Sequence, residues 1–248
     1  MTTTRLPLFP LNTVLFPGLV LPLNVFEPRY RALMADLLEL PEDGPRPFGV
    51  VAIRDGHEVA PSAVGLPETG KPPELAAGSG FARDDPRRSF HEVGCVADAS
   101  TIRERPDEEG YEVLATGTTR FRLVSVTAEG PYLTAEVEPL EEVAGEGAGA
   151  LASGVLRAFR SYQKVLAGAN ERSLAPGQDL PDDPSVVSYL VAAATMLYTP
   201  DKQRLLQAKD TATRLAEELR ILRQETAVIG KLPSVPGAEF TVRPTSLN

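Results

Sequence analysis

The sequence predicts an α+β protein in which a mostly antiparallel β-barrel precedes an α-helical bundle. Short apolar runs follow one another between residues 92 and 140 with turn residues between them, which is typical of an antiparallel sheet or small barrel. After Glu141 the apolar spacing changes from the period of a strand to that of a helix. We therefore expect a barrel domain over residues 1–143, a helical bundle over 150–230 and a C-terminal tail over 231–248.

The first apolar stretch predicts strands, because it contains four prolines and each proline inside a helix costs about 3 kcal/mol. A membrane helix and a signal peptide are disfavoured for the same reason. We expect strands at Leu6–Phe9 and Leu19–Asn24, with Pro17-Gly18 forming the turn that precedes the second strand. Glu27-Pro28 then predicts a helix start, and apolar residues at helical spacing continue this helix to Leu38.

The middle of the chain predicts further strands and one long loop. Phe48–Arg54 is apolar and β-branched, so we expect a buried strand there. Residues 61–90 are rich in proline and glycine and lack a sustained apolar period. They predict a long inserted loop, and such loops in compact domains are usually functional or mobile. Four strand candidates follow: Glu92–Arg103, Tyr111–Gly117, Thr119–Thr127 and Tyr132–Leu140.

The last third of the chain predicts three helices. The first begins near Ala150, and the second begins at Asp183-Pro184, where an aspartate precedes a proline suited to the first helical position. Thr199-Pro200 starts the third helix in the same way, and Gly230 ends it. Apolar residues of this helix recur at steps of three and four, which is typical of a heptad seam: Leu205, Ala208, Ala212, Leu215, Leu219 and Leu222. The seam predicts a packed core face, with homo-oligomerisation through the 200–228 helix as the alternative.

The composition disfavours several classes of protein. The formal net charge is -9 and the sequence pI about 4.9, which argues against binding to nucleic acid or to an anionic membrane surface. The single cysteine, Cys95, cannot form an intramolecular disulfide. This favours a reducing compartment, so we expect a cytoplasmic protein. The preference for arginine over lysine, with 23 prolines and 20 glycines, is typical of a GC-rich bacterial genome.

No motif in the sequence predicts an enzyme, a cofactor or a metal site. Residues 65–71 read G-L-P-E-T-G-K and approach a phosphate-binding loop, but Pro72 stands where the hydroxyl that binds Mg²⁺ is needed. We therefore expect no ATP binding. Cys95 and His91 fall on one face of a strand, yet nothing in the sequence orients the histidine or supplies an oxyanion site. We expect both residues to be structural.

A set of motifs recurs in order along the first 140 residues: Leu6-Pro7-Leu8-Phe9-Pro10-Leu11, Val14-Leu15-Phe16-Pro17-Gly18, Leu21-Pro22-Leu23, Phe26-Glu27-Pro28-Arg29-Tyr30, Phe48-Gly49-Val50-Val51, Gly94-Cys95-Val96-Ala97, Gly117 with Arg120-Phe121-Arg122-Leu123, and Pro131-Tyr132-Leu133. In order and spacing these motifs resemble the Lon protease N-terminal domain. The resemblance covers residues 5–140 and extends more weakly over 150–228, where it rests on a helical bundle in the corresponding place.

The resemblance implies that the barrel is PUA-like and that the chain selects and holds protein substrates. In the full protease, the ATPase and Ser–Lys protease domains lie beyond this region. Because 248 residues leave no room for either domain, the resemblance implies a stand-alone member of the family.

The function we expect is a non-enzymatic module that binds protein or peptide segments, either unfolded or belonging to a specific partner. Candidate binding residues are Phe81, Phe90, Arg87 and Arg88, in or beside the long loop. The alternative for the two aromatics is that they pin the loop to the barrel. An RNA-binding PUA-like module and a small-molecule sensor are the alternative functions. The net charge of -9 opposes the first, and the tryptophan cage and zinc cysteines of such sensors are absent from the sequence.

Overall fold

The computed structural model describes residues 3–41, 43–54, 85–105, 110–170 and 181–231. Contacts within the chain divide it into two compact units. The first comprises Met1–Glu141 with Leu197–Gln207, and the second comprises Glu142–Met196 with Ala208–Asn248. Most of the predicted long loop, with the G-L-P-E-T-G-K stretch inside it, and nearly all of the predicted tail lie outside the described residues.

A mixed sheet of six strands forms the described part of the first unit's β-structure. The strands are β1 (Thr4–Leu11), β2 (Val20–Val25), β3 (Pro47–Ala52), β4 (Val93–Glu104), β5 (Tyr111–Thr127) and β6 (Thr134–Pro139). They lie in the order β2-β5-β4-β3-β1-β6, and β6 also pairs with β5. That pairing closes five strands into a barrel and leaves β2 as an additional strand beside the first half of β5. β1 and β3 are parallel and the other pairs antiparallel, so the predicted α+β fold with a mostly antiparallel barrel is confirmed.

β5 is one continuous strand of 17 residues, and the prediction of two strands separated near Thr118 is wrong. Gly117 stays in the ladder opposite Ala97 of β4. A Cβ at position 117 would overlap the carbonyl oxygen of Phe16, so this glycine allows close packing and does not end the strand. Register shifts in the β4–β5 pairing bend this long ribbon, which lets β5 pair with β2 along its first half and with β6 along its second half.

The predicted turn at Pro17-Gly18 packs against Gly117. Gly18 has a φ of 77°, and the N–H of Leu19 donates to the carbonyl of Phe16 at 3.2 Å, which closes a four-residue turn. The N–H of Gly18 donates to the carbonyl of Gly117 at 2.8 Å, while the N–H of Gly117 donates to the carbonyl of Leu19 at 2.9 Å. Two residues therefore oppose one, and this glycine bulge determines the register in which β2 starts.

Helix α1 (Pro28–Leu38) follows β2 and confirms the predicted helix start at Glu27-Pro28. Arg29 is 7% exposed and donates from Nε to Oε2 of Glu27 at 2.9 Å. Its guanidinium lies 4.7 Å from the centroid of the Tyr30 ring, which stacks on Phe9 at 4.3 Å between centroids. The apolar face of α1 shares one core cluster with β-strand residues, and its members from the helix are Tyr30, Leu33, Met34 and Leu37.

The remaining described helices are α2 (Ala148–Asn170), α3 (Pro184–Ala194), α4 (Thr199–Leu206) and α5 (Thr211–Lys231). In the second unit, α2, α3 and α5 share a core that includes Val155, Phe159, Val187, Val191 and Leu215. Asp183 caps α3 as predicted, because its Oδ1 accepts from the N–H groups of Ser185 at 2.8 Å and Val186 at 3.1 Å. None of the described helices has the length and apolarity that a membrane crossing needs.

The prediction of a single helix from Thr199 to Gly230 is wrong, because α4 ends at Leu206 and α5 begins at Thr211. Asp210 caps the new start by accepting the N–H of Thr213 on Oδ1 at 2.7 Å. The N–H groups of the first two residues of α5 are also satisfied from outside the helix, since they donate to the carbonyls of residues 143 and 144 at 2.9 Å. These bonds stabilise a helix start at a point where the apolar spacing alone predicts continuity.

The break also divides the predicted seam. Leu205 lies in α4, which belongs to the first unit, whereas Leu215 and Leu222 lie in the core of the second unit. All three side chains are at most 1% exposed. The packed-core interpretation therefore accounts for these residues within one chain, and homo-oligomerisation through residues 200–228 stays a prediction.

Candidate functional site

The outward face of β2 carries a strip of exposed side chains. Val20, Pro22 and Asn24 alternate along the strand with the buried or half-buried Leu21, Leu23 and Val25. Phe26 continues the alternation just beyond the strand, and Leu114 of β5 lies opposite Pro22 in the ladder. Val20 is 58% exposed, Phe26 67% and Leu114 43%. We call Val20, Pro22, Asn24, Phe26 and Leu114 the β2 surface.

The inward residues of β2 determine which face is left exposed. Leu21 and Leu23 pack against the core cluster that includes Leu33 and Met34 of α1, and Val25 is a member of that cluster. Successive side chains of a strand point to opposite faces, so this packing directs Val20, Pro22 and Asn24 to the other side of the sheet.

β2 is an edge strand, because among the described strands only β5 pairs with it. Leu19 accepts a hydrogen bond from Gly117, and in an antiparallel ladder every second residue then bonds to the neighbouring strand. Leu21, Leu23 and Val25 are in phase with Leu19 and bond to β5. The backbone groups of Val20, Pro22 and Asn24 therefore point to the open edge, and proline at 22 is tolerated because no N–H is needed there.

Charged residues of both signs border one end of the β2 surface. Asn24 lies opposite Glu112 of β5, which lies opposite Arg103 of β4. Glu112 Oε1 also lies 4.0 Å from Nε of Arg105. The Glu112 carboxylate therefore offsets one of these two arginine charges.

Phe90, one of the four predicted binding residues, lies in the barrel core and is 1% exposed. It belongs to the cluster that includes Leu8, Phe121 and Leu123, and its backbone forms an isolated bridge with Ile53. Its carbonyl also accepts a hydrogen bond from Nε of Arg54 at 2.8 Å. The expectation of an exposed aromatic anchor is wrong for Phe90, because burying this ring in the core leaves no face for a ligand. Phe81 lies outside the described residues.

Arg87 and Arg88 lie in a short 3₁₀ turn, Pro86–Ser89, immediately before Phe90. Nη2 of Arg87 lies 4.0 Å from Oε1 of Glu92, and Nε of Arg88 lies 3.4 Å from Oδ2 of Asp85. The Arg88 side chain is 78% exposed, so its ion pair is weak and screened by solvent. Both arginines have carboxylate neighbours within this short segment, and their role in binding stays a prediction.

The thiol of Cys95 is buried in the barrel core at 0% exposure, and its Sγ lies 3.4 Å from the carbonyl oxygen of Val96. His91 lies just before β4 and makes a backbone hydrogen bond to Ala52 at 2.9 Å. A thiol without access to solvent is a poor nucleophile, which agrees with the structural role expected for it. In the described part of the chain, no group of three or more His, Cys, Asp and Glu side chains is arranged to hold a metal ion.

The second unit contains a buried cluster of polar side chains that sequence reasoning missed. Arg214 is 0% exposed, its guanidinium lies 4.0 Å from the ring centroid of Tyr189, and its Nη1 donates to Oγ of Ser188 at 2.9 Å. Glu142 contacts both Tyr189 and Arg214. The Tyr189 hydroxyl donates to Oε1 of Glu142 at 2.6 Å, and Oε2 of Glu142 lies 3.6 Å from Nη2 of Arg214. The cluster fastens the segment that enters the second unit to α3 and α5.

Glu218, one turn after Arg214 on α5, is 2% exposed, and neither of its carboxylate oxygens has a hydrogen-bond partner among the described residues. Burial raises the pKa of the Glu218 carboxyl well above its usual value, and the Arg214 guanidinium opposes this effect to a smaller extent. The carboxyl is therefore a proton-binding group whose charge state is coupled to the folding of the second unit.

Sequence reasoning missed the β2 surface. One feature of the sequence explains this, and another could have revealed the surface. The stretch around β2 is apolar on both faces, so alternation of apolar and polar residues cannot tell which face is buried. Pro22, in contrast, is a usable signal, because a proline within a strand indicates an edge position.

The family model described as the ATP-dependent protease La (LON) substrate-binding domain matches residues 5–224. Among curated proteins, Lon protease 2 of Myxococcus xanthus is 26% identical over 235 residues, which cover 90% of this chain and 24% of that protein. The chain thus spans about a quarter of the length of this relative. The expectation of a stand-alone member is not tested by these matches.

Two solved structures share the fold. The Lon N-terminal domain protein of Xanthomonas campestris superposes with a TM-score of 0.54 at 23% identity, covering 88% of this chain and 98% of that chain. The N-terminal domain of Lon protease from the Mycobacterium avium complex gives a TM-score of 0.57 at 16% identity, covering 90% and 98%. With the barrel, the helices and the match over residues 5–224 in agreement, the chain belongs to the family of Lon substrate-binding domains.

Proposed function

We propose that this chain is a non-enzymatic module that binds protein substrates. It recognises exposed apolar segments of the substrate, which is either an unfolded chain or a specific partner. The observation that carries the proposal is the β2 surface, where Val20, Phe26 and Leu114 are 58%, 67% and 43% exposed. Single exposed apolar residues are common on soluble proteins, but three of them at one edge of a sheet favour an interaction site. Removing such side chains from water contributes about 25 cal/mol per Å² of apolar area, which favours an apolar ligand segment.

Family membership and chemistry both support a binding role. The matched model describes the substrate-binding part of an ATP-dependent protease. The thiol of Cys95 is buried at 0% exposure, so this potential nucleophile does not reach a substrate. We expect the chain to hold a bound polypeptide without cleaving it.

The proposal is tested by replacing apolar groups of the β2 surface and measuring affinity for a reduced and alkylated protein that cannot refold. Leu114→Ser has a matched control in Val124→Ser, because the two residues lie on the same strand and are both 43% exposed. We expect Leu114→Ser and Phe26→Ser each to weaken binding about 5- to 30-fold, the range typical of an interface anchor. Val124→Ser should change the affinity by less than about twofold.

Fluorescence anisotropy of the labelled unfolded protein measures these affinities directly, and gel electrophoresis of the same samples tests for cleavage. Equal affinities for wild type, Leu114→Ser and Phe26→Ser would exclude the β2 surface as the binding site. Fragments accumulating with time would exclude the non-enzymatic role.

A further inference from the structure

We propose that a substrate segment binds to the open edge of β2 as an additional β-strand. This inference rests on the proposed function and specifies how the segment is held. Recognition by strand addition obtains affinity from main-chain hydrogen bonds and selectivity from alternate side chains.

The edge offers a defined set of backbone groups. Leu19 and, in phase with it, Leu21, Leu23 and Val25 bond to β5, which leaves Val20, Pro22 and Asn24 facing outward. All three outward residues are exposed. They present three carbonyl acceptors and two N–H donors, since proline has no N–H. A strand laid along this edge therefore satisfies up to about five hydrogen bonds.

Pro22 disfavours a second copy of β2 as the occupant. In an antiparallel pair of two β2 strands centred on this residue, proline would face proline and both central hydrogen bonds would be lost. A foreign segment without proline loses only one bond, and its N–H opposite residue 22 still donates to the Pro22 carbonyl. The edge thus favours an unfolded polypeptide over self-association.

The side chains beside the edge are suited to an apolar segment. Residues of the added strand alternate between the two faces of the sheet. On one face they lie beside Val20 and Pro22, and on the other face they lie beside the half-buried Leu21 and Leu23. Apolar residues on either face of the segment therefore gain contact area with β2, which indicates a short extended run of β-branched or apolar residues as the ligand.

Backbone N-methylation tests this mode without changing any side chain. The probe is a blocked peptide, Lys-Val-Thr-Val-Thr-Val-Lys, and two analogues, one N-methylated at the valines alone and one N-methylated at the valines and the threonines. In an added strand only every second N–H faces β2, so we expect the first analogue to bind like the parent through its threonine N–H groups and the second to lose about tenfold or more in affinity. Two analogues that both retain, or both lose, the affinity of the parent peptide would overturn strand addition.

Substitutions in β2 provide an independent test. Asn24→Pro removes one outward N–H without removing a bond to β5, and Asn24→Ala is the matched control that keeps this N–H. We expect Asn24→Pro to bind about 2- to 10-fold more weakly than Asn24→Ala, because both variants lose the asparagine side chain and only the proline variant also loses the N–H. Pro22→Val should strengthen binding about 2- to 10-fold relative to the wild type. Circular dichroism confirms folding of each variant, and should Asn24→Pro not fold, Pro22→Val and the methylated peptides decide the question.

The outcomes separate this inference from the proposed function. Strand addition would be rejected if Pro22→Val bound with unchanged affinity and if both methylated peptides bound like their parent. If Leu114→Ser still weakened binding of the unfolded protein, the β2 surface would nevertheless remain the binding site. Failure of the parent peptide to compete with a bound unfolded protein would also reject it. If Pro22→Val formed a dimer in sedimentation experiments and did not bind the peptide more tightly, the preferred occupant of the edge would be a second copy of the chain. This result would overturn the proposal.

Discussion

The guanidinium of Arg120 on β5 donates a hydrogen bond from Nη1 to the backbone carbonyl of Leu206 on α4 at 2.8 Å, although the residues are 86 positions apart. Arg120 is 2% exposed and Leu206 1%. Gln203, also on α4, donates from Nε2 to the carbonyl of Val93 on β4 at 2.8 Å. One side-chain hydrogen bond from the barrel and one from α4 therefore hold α4 on the barrel. This explains why α4 belongs to the first unit.

Arg120→Met should lower the free energy of unfolding by about 1.5–3 kcal/mol, because the Leu206 carbonyl then loses a charged hydrogen-bond donor while buried. Arg122→Met is the control two residues along the same strand. The Arg122 side chain is 55% exposed and its Nη1 lies 3.7 Å from Oε2 of Glu138, so its loss should cost less than about 1 kcal/mol. Urea denaturation compares the two variants, and equal losses would contradict a special role for the buried bond.

Phe90→Ala should lower the free energy of unfolding by about 3–5 kcal/mol, because the ring is 1% exposed and its removal leaves a cavity in the barrel core. Arg88→Ala, two residues earlier, removes a side chain that is 78% exposed and should change stability by no more than about 0.5 kcal/mol. Thermal melting of both variants measures the difference. A stable Phe90→Ala protein with weakened substrate binding would restore Phe90 as a binding residue.

Two glycine-to-alanine substitutions should change stability in opposite directions. At Gly117 a Cβ would overlap the carbonyl oxygen of Phe16, so Gly117→Ala should destabilise the barrel by more than about 1 kcal/mol. Gly154 lies inside α2, and among the described residues outside its own helical turn a Cβ there would meet Cδ2 of Leu219 at an ordinary 3.8 Å. Gly154→Ala should therefore stabilise the protein by about 0.5–1 kcal/mol through the higher helix propensity of alanine. Equal shifts in the urea midpoints of the two variants would contradict the prediction of opposite effects.

Glu218→Gln should flatten the dependence of stability on pH. Burial raises the pKa of the Glu218 carboxyl well above the ordinary glutamate value of 4.5, so the folded state holds a proton that the unfolded state releases. The free energy of unfolding of the wild type then falls as pH rises from about 4.5 towards the raised pKa, and the glutamine variant lacks this loss. Urea titrations at about pH 5 and about pH 8 measure the difference.

Glu217→Gln provides the control for that experiment, because Glu217 is adjacent in sequence and forms a surface pair with Arg220 at 2.8 Å. The free energy of unfolding of Glu217→Gln should depend on pH in the same way as that of the wild type. A Glu218→Gln protein with the same slope as Glu217→Gln would mean that Glu218 does not bind a proton preferentially in the folded state.

Much of the fold follows from chemistry that acts over a few residues. The turn at Pro17-Gly18, the helix start at Glu27-Pro28 and the cap at Asp183 all appear as predicted. Each depends on the φ restriction of proline, the freedom of glycine at positive φ, or a side chain that accepts a nearby N–H. The motifs that resemble the Lon family combine such local features in a fixed order, and for this reason membership was predictable.

The candidate site was less accessible to sequence reasoning. Phe90 and Phe26 are both phenylalanines beside turns, yet one is 1% exposed and the other 67% exposed. Nothing in their neighbouring residues separates them, because burial depends on which distant strands close over each ring. Phe90 meets Phe121 and Leu123 of β5, whereas Phe26 extends past the end of an edge strand.

The sequence by itself determined the class of fold, the family and the local turns and caps of this protein. Tertiary structure alone decided that Gly117 continues β5, that Leu205 and Leu215 belong to different units, and that β2 pairs with only one of the other described strands. The physical reason is the range of the interactions. A cap or turn is stabilised by hydrogen bonds between near neighbours in the chain, whereas sheet order and burial depend on contacts such as that of Arg120 with Leu206, which only the folded chain brings together.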